Sequence, residues 1–123
     1  MDREAHLSAV TTSEEMQLVR FAAGVAVYEM PARPVDNGKL VAFAETAMNA
    51  AAATAVPDQG TSAQMSTVDI CAHFHSSVPA DADTLTAEAI VVRSDGRRAR
   101  VEADVLADGR RIASFEANSG VAL

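Results

Sequence analysis

The feature of this sequence that most restricts its fold is a long, nearly uncharged apolar stretch. Residues 39–56 consist mainly of Ala, Leu, Val, Phe and Met, carry only Lys39 and Glu45 as charged side chains, and are followed by Pro57. A helix of this length extends about 27 Å. Because small apolar residues lie on nearly every face, such a helix is stable only when protein surrounds it. The stretch therefore predicts a central, buried helix.

Size and charge exclude several classes of protein. A chain of 123 residues and 12.8 kDa is large enough for one hydrophobic core and too small for two, so residues 1–123 are predicted to form a single domain. The net charge of −7 argues against nucleic acid and an anionic membrane surface as partners. A transmembrane helix requires about 20 apolar residues, more than the apolar stretch provides.

Cysteine content bears on location and on metal binding. Cys71 is the only cysteine, so neither an internal disulfide nor a Cys-based zinc site is expected within one chain. The first residues carry charges and lack the apolar core of a secretory signal. We therefore expect a cytoplasmic protein without a bound metal.

The segment before the apolar stretch is predicted to contain one short helix and one strand. A capping-box pattern at residues 12–15 predicts a helix over residues 13–22, within an N-terminal segment of residues 1–23. Residues 24–123 are predicted to form the core of the domain. Its first strand covers residues 25–30, where β-branched and aromatic side chains are frequent.

The second half of the chain alternates apolar and polar residues in the manner of antiparallel strands. Predicted strands cover residues 63–75, 84–93, 99–107 and 110–119. The last three are separated by two predicted turns, Ser94-Asp95-Gly96 and Asp108-Gly109. In the predicted strand over residues 63–75, one face is expected to carry Val68, Ile70, Ala72 and Phe74. The other face is expected to carry Asp69, Cys71, His73 and His75.

Together these elements predict an α+β domain in which a curved antiparallel sheet is wrapped around one long central helix. Such a sheet leaves its far face and at least one strand edge uncovered. Small domains commonly cover these surfaces by association. An oligomer is therefore expected.

The start of the apolar helix has the features of a reaction site. Asp36, Asn37 and Gly38 form a turn that opens into the helix, and this composition favours unusual backbone angles. Unpaired N–H groups at a helix start polarise a carbonyl oxygen or hold an oxyanion. About two turns further on, Glu45 projects a carboxylate from an apolar helix, which is costly unless the group has a partner or a chemical task. Both interpretations of Glu45 remain open at this point.

From about residue 24 onwards the sequence resembles the hotdog-fold acyl-CoA thioesterases of the phenylacetate-pathway, or PaaI-like, type. That family carries a His-Gly-Gly motif, an apolar helix with an acidic residue seven positions after the second Gly, and a hydroxyl residue followed by Val-Asp on the next strand. Matching positions in this chain are Gly38, Glu45, Thr67-Val68-Asp69 and, in the turn before the hairpins, Val78-Pro79. The resemblance implies a hotdog fold and hydrolysis of an acyl-CoA-type thioester.

The resemblance also implies roles for individual residues. In such thioesterases the acidic residue acts as nucleophile or general base, backbone N–H groups near the Gly pair polarise the carbonyl, and the hydroxyl orients water or carboxylate. These catalytic roles would pass to Glu45, Asn37, Gly38 and Thr67. A homodimer or homotetramer with the site at the subunit interface is implied, and no cofactor other than coenzyme A as part of the substrate.

Two residues depart from the family pattern. Asp36 lies where the family has His, and Asn37 replaces the first Gly. Asp36 adds a carboxylate to the substrate-binding region, where it would repel an anionic substrate. The departures leave an alternative open, namely a hotdog protein that binds an acyl or other hydrophobic ligand without turnover.

Two further pairs of residues are candidates for substrate binding. His73 and His75 share one side of a strand, and since hotdog hydratases pair an acidic residue with a histidine, an enoyl-CoA hydratase-like reaction is a second alternative. Arg97 and Arg98 are suited to charge-assisted contacts with coenzyme A phosphates. The structural interpretations of the same residues are exposed or interface histidines and hairpin-end charges.

Overall fold

The computed structural model describes residues 15–32, 35–55 and 65–121. Its elements are, in chain order, β1 (Gln17–Ala22), β2 (Val25–Pro31), α1 (Asn37–Ala55), β3 (Met65–Phe74), β4 (Thr84–Ser94), β5 (Arg98–Ala107) and β6 (Arg110–Val121). The described strands form one antiparallel sheet in the order β1-β2-β4-β5-β6-β3, and α1 packs on it. This architecture confirms the predicted α+β class, with a curved sheet and one long helix.

The helix and the sheet bury an apolar layer between them. The buried residues of α1 are Leu40, Phe43, Ala44, Ala47, Met48, Ala51 and Ala52. Every second residue of β5 from Ala99 to Ala107 is buried, as expected for a strand with one covered face. Full burial of a side chain such as Phe43 contributes about 1.5–3 kcal/mol. α1 begins two residues before its predicted start, and residue 56, its predicted end, lies outside the described residues. Within the described part of the chain, no helix is long and apolar enough to cross a membrane.

The predicted helix over residues 13–22 is wrong where the structure describes it. Gln17–Ala22 is a strand that pairs with β2, with Leu18 opposite Tyr28. Gly24 has a φ of +76°, which permits the tight turn that returns the chain along β1. The backbone N–H and C=O groups of this segment are therefore paired in a β-hairpin, although the capping-box pattern predicted a helix there. Residues 12–14 of that pattern lie outside the described residues.

β3 confirms most of the predicted alternation and corrects one residue. Its pairing with β6 shifts register between Thr67 and Asp69, so Val68 is an extra residue in the strand and is 55% exposed. Val68 therefore does not share the inner face with Ile70 and Ala72, which pack against the core. A bulge inverts the side-chain alternation at one point, and periodicity alone does not reveal it.

The two predicted turns between the last three strands are confirmed. Asp108 and Gly109 have φ values of 49° and 85°, the backbone of a tight hairpin turn. In the other turn, the Asp95 carboxylate accepts hydrogen bonds from the backbone N–H groups of Arg97 (3.1 Å) and Arg98 (2.8 Å). These two bonds, followed by the charge of Arg98, lower the pKa of Asp95.

Candidate active site

Asp36 caps the start of α1. Its Oδ1 accepts a hydrogen bond from the Lys39 N–H at 2.8 Å, and its carbonyl accepts one from the Leu40 N–H at 3.2 Å. Asn37 and Gly38 are consequently the first two helical residues. Neither is among the described residues with positive φ, so the expectation of unusual backbone angles here is wrong. The side-chain cap lets the chain enter the helix directly.

The N–H groups of Asn37 and Gly38 point out of the helix start and donate no hydrogen bond within residues 15–32, 35–55 and 65–121. A Cβ on Gly38 would lie 3.4 Å from Asp36 Oδ1, so this glycine leaves room beside the cap. The two donors are therefore accessible to a carbonyl oxygen. The Asp36 carboxylate also lies beside them, and its negative charge weakens the positive potential of the helix start.

Glu45 lies in the third turn of α1 and is half-buried. No hydrogen bond or ion pair to its carboxylate exists in the described part of the chain. The interpretation of Glu45 as a paired structural carboxylate thus has no partner there to support it. An unpaired, half-buried carboxylate has the position and the freedom to act on a bound ligand.

Thr67 reaches the helix through Asn49, which lies one turn after Glu45. Asn49 Nδ2 donates to Thr67 Oγ1 at 3.3 Å, and the Ser119 hydroxyl on β6 donates to Asn49 Oδ1 at 3.0 Å. Because residues four apart share one side of a helix, Glu45 also lies on the side of α1 that faces β3. The structure therefore joins Thr67 to α1 at a position one helical turn from Glu45.

Neither Asn49 nor Ser119 was assigned a role from the sequence. Ser119 is fully buried, the only polar residue among the buried side chains that the structure describes. The available signal was the position of Asn49, an amide four residues after Glu45 in an otherwise apolar helix. The partner on β6 depends on strand order, which the sequence pattern does not contain.

The two histidines lie on the other face of the sheet. Ala72 of β3 faces the core, and side chains alternate along a strand. Cys71 and His73 on either side of it therefore point away from α1. His73 Nε2 lies 3.5 Å from Cys71 Sγ, and His75 Nε2 lies 2.9 Å from Ser114 Oγ. Within one chain the structure does not bring either histidine together with Glu45. It thus gives no geometric support to a hydratase-like Glu–His pair in a single subunit.

The structure separates the two candidate arginines. Arg98 lines a cavity of about 390 Å³ with Arg93 and Arg100, whereas Arg97 is not part of its lining. Arg93 and Arg100 are directly opposite in the register of β4 and β5, and Arg100 forms an ion pair with Glu116. Three arginines therefore line one cavity, together with Asp95, in a chain of net charge −7. Arginine side chains are suited to binding the phosphate groups of a ligand.

No group of three or more His, Cys, Asp or Glu side chains among the described residues is arranged to hold a metal ion. The candidate chemistry at α1 involves a carboxylate, a hydroxyl and backbone N–H groups. These groups are sufficient for acid–base or nucleophilic attack on a carbonyl.

The fold and this site define a class of protein. An antiparallel sheet around one central helix, with an acidic residue on that helix, is the arrangement expected of a hotdog-fold thioesterase. The sequence profile of the Thioesterase superfamily matches residues 35–114, which include α1 and most of the sheet. The chain belongs to the thioesterase superfamily.

Solved structures agree with this assignment at the level of the fold. The PaaI protein of the phenylacetic acid degradation operon of Escherichia coli superimposes with a TM-score of 0.81 at 17% identity, covering 99% of this chain and 90% of that one. A mutant of the phenylacetic acid degradation protein PaaI from Thermus thermophilus gives 0.75 at 21% identity, with 96% and 99% covered. A putative thioesterase from Ralstonia eutropha, described as phenylacetic acid degradation-related, gives 0.76 at 22%, with 93% and 90% covered. A search of curated proteins finds no match. Together the family and the fold confirm the resemblance to PaaI-like hotdog proteins.

Proposed function

We propose that this protein hydrolyses acyl-CoA thioesters, with Glu45 as general base or nucleophile. Membership of the thioesterase superfamily supports thioester hydrolysis in general. The role of Glu45 is supported by its half-buried carboxylate, which lacks a partner in the described chain and lies one helical turn before Asn49, the residue that bonds to Thr67.

Two routes lead to the same products. As general base, Glu45 takes a proton from water while the water oxygen bonds to the thioester carbonyl carbon. The tetrahedral oxyanion accepts hydrogen bonds from the N–H groups of Asn37 and Gly38. Its collapse breaks the C–S bond, and the thiolate that leaves takes up the proton that Glu45 removed from water, which restores the carboxylate. As nucleophile, Glu45 displaces the thiolate itself, and water then cleaves the resulting anhydride.

Asp36 restricts the acyl group in this proposal. Its carboxylate lies beside the helix start where the carbonyl oxygen would bind. A negative charge on the acyl chain would be repelled by this carboxylate. The proposed substrates are therefore acyl groups without a negative charge.

The arginine cavity supports coenzyme A as the carrier. Arg98 and its neighbours Arg93 and Arg100 offer planar donors to phosphate oxygens. Arg97 remains a proposed phosphate contact, although it lies outside the cavity lining. No cofactor beyond the coenzyme A of the substrate is proposed.

We also propose a cytoplasmic homodimer or homotetramer with the site at the subunit interface. β3 is at one end of the strand order and carries Thr67. A strand at the end of a sheet exposes unpaired N–H and C=O groups that a second chain can pair with. Association along β3 would bring residues of a second copy to the site, including its outward-facing His73 and His75.

The alternative is a hotdog protein that binds an acyl ligand without turnover. It is favoured by the Asp36 cap, which stands in place of a histidine and puts a negative charge beside the two amides. In this alternative the helix start would bind the carbonyl group and Glu45 would not react.

Release of free thiol from a panel of short, long and aromatic acyl-CoAs tests the proposal. Glu45→Ala and Glu45→Gln are expected to lower kcat by about 10²–10⁴-fold, the usual contribution of a general base. Thr46→Val is the matched control, because Thr46 donates only within its own helix, to the Ala42 carbonyl at 2.8 Å. Turnover that persists in both Glu45 variants would refute the assigned role. Tight binding of acyl-CoA with no turnover by the wild type would favour the ligand-binding alternative.

A further inference from the structure

One polar cluster joins α1 to β3 and β6 across an otherwise apolar contact. Its members are Asn49 on α1, Thr67 on β3 and Ser119 on β6. Among the other hydroxyl groups along the helix, Thr46 donates to the Ala42 carbonyl, and Thr54 donates to the Ala51 carbonyl and accepts from the Gly24 N–H in the β1–β2 turn, so neither bonds to β3 or β6. Asn49 is thus the residue through which the polar side of α1 is connected to β3 and β6.

The hydrogen bonds of this cluster have a defined direction. Ser119 is fully buried, and its hydroxyl donates to Asn49 Oδ1 at 3.0 Å. This bond fixes the amide so that Nδ2 faces Thr67 Oγ1, at 3.3 Å. Because Thr67 then accepts from the amide, its own proton is available to another acceptor.

A competing arrangement exists within the same cluster. Thr67 Oγ1 also lies 3.4 Å from Asn49 Oδ1, close enough for the Thr67 proton to turn inward. The amide oxygen can accept two bonds, but by holding Oδ1 Ser119 keeps Nδ2 turned toward Thr67, and Thr67 Oγ1 cannot accept from Nδ2 and donate to Oδ1 of the same amide with good geometry at once. Ser119 therefore biases the Thr67 proton away from the amide, although it is buried and does not touch a ligand.

We infer that Asn49, held by Ser119, is a positioning residue that directs the Thr67 hydroxyl toward the reacting water or the Glu45 carboxylate. This inference rests on the proposed function, because it assigns a supporting role within the same reaction. A hydroxyl in that orientation donates to water or to carboxylate oxygen and holds it in line with the thioester carbonyl. Asn49 acts through Thr67 and does not itself contact the substrate.

Asn49→Asp is the decisive variant, since it keeps the size and the acceptor oxygen of the side chain and replaces the amide donor with a second acceptor oxygen. The Thr67 proton then bonds to the new carboxylate, so kcat is expected to fall about tenfold or more while KM changes by less than about threefold. Ser119→Ala removes the bond that holds the orientation of the amide and is expected to lower kcat in the same direction. Thr54→Ala is the matched control. It removes a helix hydroxyl that accepts from the Gly24 N–H at 2.6 Å, so it should lower thermal stability and leave kcat unchanged.

A double-variant cycle separates positioning from general damage. If Asn49 acts through Thr67, Thr67→Val and Asn49→Asp together lower kcat no further than Thr67→Val alone. Two outcomes would overturn the inference: a double variant in which the two losses of kcat multiply, or an Asn49→Asp enzyme with wild-type kcat. In either case the proposed function would stand as long as Glu45→Ala still abolishes turnover. A wild-type protein that hydrolyses no thioester would instead remove the proposed function, and this inference with it.

Discussion

Glu45 and Asn49 lie one helical turn apart on the same side of α1, and only Asn49 is hydrogen-bonded to the sheet. Asn49 bonds to Thr67 and Ser119, whereas the Glu45 carboxylate has no partner in the described regions. Of these two neighbouring polar residues on an apolar helix, Asn49 connects the helix to the sheet and Glu45 leaves its carboxylate without a hydrogen-bond partner among the described residues. A helix that is otherwise alanine-rich would gain stability from an apolar residue at position 45. The cost of keeping the carboxylate is consistent with a chemical task.

Asp36 combines two effects that substitution can separate. Asp36→Ala removes the cap on the Lys39 N–H and should lower the free energy of unfolding by about 1 kcal/mol. Asp36→Asn retains an oxygen acceptor and should stay within a few tenths of a kcal/mol of wild type, since Asn and Asp cap about equally well. Urea denaturation of the two variants measures the difference.

Both Asp36 variants also remove a negative charge from the helix start. The ratio of kcat/KM for a dicarboxylic acyl-CoA to that for a neutral acyl-CoA of similar length should rise in both, by about tenfold. Thiol release from glutaryl-CoA and butyryl-CoA gives this ratio. An unchanged ratio would mean that Asp36 acts as a helix cap alone.

Arg98 and Arg97 are neighbours in sequence with different surroundings, which makes them a matched pair. Arg98 lines the arginine cavity and Arg97 does not. Arg98→Ala should raise KM for an acyl-CoA about tenfold, the loss expected for a charge-assisted contact, with Arg97→Ala giving a smaller change. Steady-state kinetics on acyl-CoA and on the corresponding acyl-N-acetylcysteamine, which lacks the nucleotide, make the measurement. Equal effects of Arg98→Ala on both substrates would contradict phosphate binding in this cavity.

Much of the fold could be predicted because strong local patterns specify it. The apolar stretch gave α1 to within two residues at its start, and the hairpin turns at Asp95 and Asp108 follow from turn chemistry. β1 was missed because six residues with a capping-box pattern before them fit a short helix as well as a strand. Pairing with β2 decided between the two, and pairing is a tertiary effect.

The candidate site was only partly readable from sequence for a similar reason. Glu45 was predicted as a lone carboxylate in an apolar helix, and Thr67 only through the resemblance to PaaI-like thioesterases. The role of Asp36 as a cap and the link from Asn49 to Ser119 depend on atoms brought together by folding. The division of Arg97 from Arg98 likewise depends on which side of the hairpin each occupies.

Asp95 predicts a pH dependence of stability at the β4–β5 turn. Backbone hydrogen bonds from Arg97 and Arg98 lower the pKa of this carboxyl below 3.8, the value expected in the unfolded chain. A group with a lowered pKa in the folded state stabilises the fold above the unfolded pKa, and the contribution is lost as pH falls through the folded pKa. Asp95→Asn keeps an acceptor oxygen in the turn and removes the charge. The difference in free energy of unfolding between wild type and Asp95→Asn should therefore shrink as pH is lowered from 6 to about 2.

The control for this measurement is Asp81→Asn. The carboxylate of Asp81 accepts no hydrogen bond from the described residues, so its substitution should change stability little at any pH in this range. Urea denaturation at several pH values gives the three curves. A wild-type advantage over Asp95→Asn that is the same at pH 2 as at pH 6 would show that the bonds to Arg97 and Arg98 do not depend on the carboxylate charge, and would contradict the prediction.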